Sequence, residues 1–200
     1  NMVFNKEFIL ASSSLSRYKI LKNNKLIFFQ KKPPCNEDLL KKKLIKKKAT
    51  PKKISLELSR LKSKSISKIE KNKLVVGSDT VISFEKKILS KAKNIESAKK
   101  IITSLSNKKH FIFSSVSVFY NNKEVWHTTQ KSEVKIRKLN TNEIEYYLLK
   151  TGKKILSSVG CYQIESMGPN IIKEIKGDFF NVMGFPLFPF LSFLKNCNIK

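Results

Sequence analysis

Arginine is scarce in this sequence although positive charge is not. Of 41 basic residues only Arg17, Arg60 and Arg137 are arginine, against 15 acidic residues and a net charge of +26. A protein that reads phosphates or guanine edges leans on the guanidinium fork. The charge therefore describes a lysine-coated surface rather than a specific nucleic-acid groove, and the coat still attracts a small polyanion. Runs such as "KKKLIKKK" at 41–48, beside many Asn, Ile and Phe, point to a coding bias toward A and T. Cysteine is rare too: Cys35, Cys161 and Cys197 are odd in number and lack the C-x-x-C spacing of a zinc site. They read as free thiols of a reducing cytoplasm. His110 and His127 are too few and too separated for a metal pair and read as structural. The longest apolar stretch, "FFNVMGFPLFPFLSFL" at 179–194, is shorter than the ~20 residues of a membrane span and is broken by Asn181, Gly184, Pro186 and Pro189. It is expected to be a buried terminal segment, with no membrane partner. No signal peptide is expected, because "NMVFNKEFIL" has too short an apolar run. Repeats and Gly/Ser or Pro-rich linkers are missing as well, so residues 1–200 are expected to form a single domain.

What is present alternates. Phe8 to Ala11 reads as a buried strand, after which Leu15, Tyr18 and Leu21 recur at helical spacing until "KNNK". Residues 37–48 predict a lysine-rich helix. Thr50 and Pro51 supply an N-cap and a first-turn proline to a second helix reaching about Ile69, with Ile54, Leu58, Leu61 and Ser65 on one face. Leu74 to Phe84 predicts a strand interrupted by Gly77-Ser78-Asp79. "KNIESAKKIITSL" predicts a helix with Ile95, Ala98, Ile101 and Ile102 inward. "HFIFSSVSVFYNNKEVWHTT" predicts a hairpin about Asn121-Asn122, whose Trp126 and phenylalanines are expected in the core rather than on a base-stacking platform. Asn140 and Glu143 make a capping-box pair, and Gly152 stands where a C-cap belongs. "NIIKEIKGD" and "FPLFPFLSFL" add a strand and a final helix. The class is α/β, a mixed sheet flanked by helices.

Two strand-to-helix junctions carry polar chemistry. "FILASSSLSR" places Ser12, Ser14 and Arg17 within one turn at a helix N-terminus, where free amides, hydroxyls and a guanidinium can gather negative charge. The same serines could simply cap the helix. "LVVGSDTVI" brings Asp79 out of an apolar run, a position suited to the carboxyl end of a sheet, where ligands of α/β folds collect. A carboxylate there can orient water and take its proton. It could also cap a turn. Lys62, beside the apolar face of its helix, reads by itself as a snorkelling surface lysine.

In order along nearly the whole chain, these elements resemble the Maf family of nucleoside triphosphate pyrophosphatases. "LASSSLSR" resembles the family's L-A-S-x-S and arginine, "PCNE" its acidic element, "LSRLKS" its L-A-x-x-K-A and "GSDT" its G-x-D-T. "KA" stands where the family has K-P, and "LSNKKH" has Asn107 in place of a glycine. "VGCYQIESMG" and "IKGDFFNVMGFPL" are similar to its late stretches. The resemblance implies a two-lobed architecture with a central cleft, related to the ITPase fold. It implies substrate binding by Ser12, Ser14, Arg17, Glu37, Lys62 and Lys91, with Asp79 as catalytic proton acceptor. It implies a Mg²⁺ or Mn²⁺ cofactor at Asp79 and Glu37, and a homodimer. Glu165 is expected at the base or sugar; spacing alone does not separate its role from that of Glu37.

Base preference in the family follows three positions. One branch, preferring dTTP and UTP, has a second arginine in the loop, threonine after the aspartate and a late glutamine. Another, associated with 7-methyl-GTP, has an aromatic residue, a glutamine and a glutamate. This chain has Ser16, Thr80 and Glu165, a mixed signature. The expected activity is hydrolysis of a nucleoside triphosphate to the monophosphate and pyrophosphate, with deaminated purine triphosphates such as ITP and XTP a further candidate class. The alternative from another class is a basic nucleic-acid-binding or regulatory module without turnover, marked by salt-sensitive association.

Overall fold

A computed structural model describes residues 6–199. β1 (Phe8–Ala11) is apolar and buried throughout, as a strand with neighbours on both edges and cover on both faces requires. It leads through Ser12–Ser14 into α1 (Leu15–Asn23). β2 (Phe28–Lys31) and β3 (Leu74–Phe84) both pair with β1 in parallel. Between them lie α2 (Glu37–Lys46), capped by Asn36, and α3 (Pro51–Ser67), capped by Thr50 with proline in its first turn. β4 (Lys87–Ile88) pairs antiparallel with the end of β3, and α4 (Ile95–Leu105) opens with a capping box of Asn94 and Ser97.

β5 (Lys109–Tyr120) and β6 (Lys123–Ile136) are joined by Asn121 and Asn122 at φ 46° and 64°. Two successive left-handed residues give the turn whose twist suits a hairpin, and asparagine tolerates them. α5 (Thr141–Thr151) has the Asn140–Glu143 capping box and ends at Gly152, φ 61°, before a 3₁₀ segment over Gly152–Ser157. α6 (Gly168–Ile171), β7 (Ile172–Lys176), α7 (Phe179–Met183) and α8 (Leu187–Asn196) complete the described chain. The strands form one mixed sheet in the order β2-β1-β3-β5-β6-β7, with β4 on β3, so the α/β class holds.

The chain divides into two compact units at breaks that fall inside β3, β5 and β6 and between α7 and α8. The first takes residues up to Thr80, Phe113–Gln130 and everything from Gly184. There Ile9, Ala11, Ile66 and Val75 pack together, and Phe8 and Phe185 each meet Phe190 edge to face. The second takes Val81–Ile112 and Lys131–Met183, with a core that includes Ile82, Ile102, Ile112, Ile136, Ile144 and Tyr162. No helix among the described residues is long and apolar enough to cross a membrane.

Several expectations need correction. β3 runs unbroken through Gly77-Ser78-Asp79, because Gly77 stays in register with Ala11. A Cβ on Gly77 would stand 2.2 Å from the Ser59 carbonyl oxygen, so glycine serves close contact with α3 rather than a break. The buried face of α3 is Ile54, Ser55, Leu58, Ser59, Lys62, Ser63, Ile66 and Ser67; Leu61 and Ser65 are only half-buried. Ser59 and Ser63 donate their hydroxyls to the carbonyls four residues earlier, which lets serines enter a tight interface without orphaned polar atoms. α1 buries Arg17, Ile20 and Leu21, while Leu15 is exposed. The late segment begins helical at Gly168–Ile171 before β7, and β2, β4, the 3₁₀ segment and α7 are additions to the sequence reading. Trp126 packs on Phe193 and Phe190 but is only half-buried, as are Phe111 and Phe113, so of the hairpin aromatics expected in the core only Phe119 is buried there. His110 is buried against Tyr162, and His127 Nδ1 lies 3.2 Å from Glu124 Oε1, beside the ion pair of Arg60 and Glu124.

Candidate active site

The first unit gathers Ser12, Ser14, Arg17, Glu37, Lys62, Asp79 and Thr80 around the carboxyl end of β1. β1 stops at Ala11, paired with Gly77, whereas β3 continues. Ser78 and Asp79 therefore extend beyond the last residue of their parallel neighbour, alongside the turn into α1. In open α/β sheets this is where ligands bind.

The turn is held by its own hydroxyls. Ser12 Oγ accepts the Ser14 amide at 3.1 Å, and Ser14 Oγ accepts the Arg17 amide at 3.3 Å, which caps α1. The remaining first-turn amides of an α-helix have no intrahelical partner and favour an anion. Arg17 turns inward and is only 8% exposed. Its Nε donates to the Gly184 carbonyl at 2.9 Å, Nη1 to Ser12 Oγ at 3.3 Å and Nη2 to Thr80 Oγ1 at 3.1 Å. Burial pulls the Arg17 pKa below its ordinary value, and the carboxylates of Asp79 and Glu37 oppose that shift. Three anchors leave two N–H donors of the five for a ligand.

The carboxylates meet on Lys62. Its ammonium lies 2.7 Å from Glu37 Oε1 and 2.9 Å from Asp79 Oδ1, and it donates to the Ser78 carbonyl at 3.1 Å. Lys62 is only 5% exposed, so the snorkelling reading fails. α3 approaches β3 over small serines and Gly77, which brings this lysine against the strand. Asp79 takes the ammonium on Oδ1; its Oδ2 accepts no hydrogen bond among the described residues. Cys35 lies beside the group, its thiol pushed up by burial first and by Glu37 second.

Among the described residues, no cluster of three or more His, Cys, Asp and Glu side chains could hold a metal alone. A hard cation such as Mg²⁺ is commonly bound by one or two carboxylates with substrate phosphates supplying further oxygens. Asp79 and Glu37 suit that role, since both carboxylates converge on one positive charge and their donors are oxygen.

Lys91 and Glu165 belong to the second unit. Lys91 is an exposed residue of the segment between β4 and α4. Glu165 is an exposed turn residue four positions after Cys161, whose carbonyl accepts the Tyr147 hydroxyl at 3.0 Å. Ser16 is half-buried in the first turn of α1. Sequence reasoning passed over Gly184, Ser78 and Ser114 as site residues. Gly184 stands in the late stretch "IKGDFFNVMGFPL" that resembles the family and in the broken apolar run, and neither reading gave it a role at the site.

Residues 7–197 match the model of the Maf-like protein family. The chain is similar to the nucleoside triphosphate pyrophosphatase of Pelagibacter ubique, 37% identical over 190 residues that cover 95% of this chain and 97% of that protein. It is similar to the 7-methyl-GTP pyrophosphatase of Bartonella henselae, 36% identical over 191 residues and 96% of each chain. The corresponding protein of Rhizobium meliloti is 32% identical over 187 residues, 94% of each. With the motifs in order along nearly its full length, the chain belongs to the Maf family.

Proposed function

We propose that this protein is a nucleoside triphosphate pyrophosphatase, releasing pyrophosphate and the nucleoside monophosphate. The observation that carries the reading is the meeting of Asp79 with the Ser12–Arg17 turn at the carboxyl end of β1. Ser12, Ser14, Arg17 and the α1 amides hold the phosphate tail. Lys62 fixes Asp79 and Glu37 and supplies positive charge beside them. Asp79 Oδ2 accepts the proton of a water attacking the α-phosphorus, whose bond to the bridging oxygen breaks as pyrophosphate leaves. A divalent cation, Mg²⁺ or Mn²⁺, held by Asp79 and Glu37 with phosphate oxygens, would neutralise charge on the phosphates. Lys91 adds charge for the tail, and Glu165 meets the base or sugar.

The relatives' names span general and 7-methyl-GTP pyrophosphatases, in keeping with the mixed signature of Ser16, Thr80 and Glu165. We place the protein in a reducing cytoplasm, where its three free thiols persist, as a homodimer. The test is pyrophosphate release from dTTP, UTP, 7-methyl-GTP, ITP and XTP with Mg²⁺ and Mn²⁺. Asp79→Asn should lower kcat by ~10² to 10⁴ for the preferred nucleotide while the fold is kept. A variant that turns over like the wild type removes Asp79 from the reaction, and no release from any nucleotide removes the activity.

A further inference from the structure

Three oxygens surround the Lys62 ammonium: Glu37 Oε1 at 2.7 Å, Asp79 Oδ1 at 2.9 Å and the Ser78 carbonyl at 3.1 Å. An ammonium has three N–H donors and no acceptor. Lys62 thus directs every donor at the protein and keeps none for a phosphate. Carboxylate and carbonyl oxygens gathered about one positive point are also the donors that a hard divalent cation takes. The ammonium stands where a cation shared by Asp79 and Glu37 would stand.

The charges around this point already balance. Arg17 and Lys62 are positive, Asp79 and Glu37 negative, and both carboxylates act on the Arg17 guanidinium. A dication in contact with the ammonium meets like-charge repulsion, which water screens poorly where Lys62 is 5% and Arg17 8% exposed. Arg17 is held in place at Nε by the Gly184 carbonyl and at Nη1 by Ser12 Oγ. Lys62 is the cation that can move, because its ammonium rides on a flexible four-carbon stem. We infer that Lys62 and the divalent cation are alternative counter-ions of Asp79 and Glu37, so that binding of the cation displaces the ammonium and turns its donors toward the phosphate tail. Before loading, Lys62 keeps two carboxylates from facing each other unpaired. After loading, the same side chain is a phosphate donor, so the cation and the phosphates favour each other's binding through it. This rests on the reading of Asp79 and Glu37 as the carboxylates that hold the cation.

Mn²⁺ alone, with no nucleotide present, tests the competition. Titration followed by the paramagnetic resonance signal of free Mn²⁺ should show Lys62→Met binding the ion about tenfold more tightly than the wild type, or better, the scale of one like charge removed from direct contact. Glu37→Gln should lose the tight site. In the wild type, limited acetylation located by mass spectrometry should modify Lys62 several-fold faster at saturating Mn²⁺ than without it, and Glu37→Gln should abolish that response. The labelling carries the test if Lys62→Met does not fold. Equal or weaker Mn²⁺ binding by a folded Lys62→Met, or labelling of Lys62 that Mn²⁺ leaves unchanged or slows, overturns the inference and makes the lysine a fixed brace for the carboxylates. No Mn²⁺ binding by any of these proteins removes the cation site, and this inference with it. Competition observed in a protein that releases no pyrophosphate from any nucleotide overturns the activity and leaves the exchange of counter-ions standing.

Discussion

At the scale of single residues, environment overrides type. Lys62 reaches two carboxylates and a carbonyl at 2.7 to 3.1 Å, an arrangement its position beside an apolar helix face did not disclose. His110 shows the opposite case: it read as structural, and it is fully buried with Nε2 at 2.5 Å from the Tyr162 hydroxyl. Burial lowers its pKa from 6.5 to about 4. The unfolded chain therefore binds a proton that the folded chain refuses between those values, and the stability His110 contributes is complete above pH 6.5 and lost as pH falls toward 4. Between pH 7 and 4.5 the wild type should lose about 2 to 3 kcal/mol more than His110→Gln, as read by urea denaturation at the two pH values. Parallel losses would mean that the imidazole is not buried as described.

At the scale of elements, the contact of α3 with β3 positions the chemistry. Gly77→Ala should destabilise the protein by about 3 kcal/mol or more, because the Ser59 carbonyl oxygen and Ser63 amide would stand 2.2 and 2.8 Å from the new carbon and both are backbone. Thermal melting measures the loss, and pyrophosphate release should fall with it, since Lys62 rides on the displaced helix. The alternation of apolar runs with capped helices made β1, α1, α2, α3, α4, the β5–β6 hairpin and α5 readable, since each has a cap, a turn pair or a period of its own. The α3 interface was hidden because a count of apolar residues passes over Ser55, Ser59, Ser63 and Ser67, all fully buried. β2 was hidden for another reason: three of its four residues are exposed, so "FFQK" shows no inward face. Arg17 was expected as a phosphate ligand from its motif, but its three anchors come from residues 12, 80 and 184, far apart in sequence.

At the scale of the whole molecule, the net charge of +26 acts through long-range attraction more than through pairs. Exposed ion pairs such as Lys100 with Glu96 or Lys108 with Glu85 contribute little to stability. A polyanionic substrate should be captured faster at low ionic strength. Raising salt from about 0.05 to 0.5 M should lower kcat/KM several-fold with kcat changed less than about twofold, measured by initial rates at fixed cation. Equal falls in both would assign the effect to the site and not to approach.

Trp126 is the only tryptophan in the sequence, and it lies in the first of the two units, its ring stacked on Phe193 of α8 at 4.9 Å. Emission excited at the red edge, where tyrosine does not absorb, is thus a private optical channel for that unit. Paired with circular dichroism, which sees every helix, it can tell one cooperative melt from two without a label.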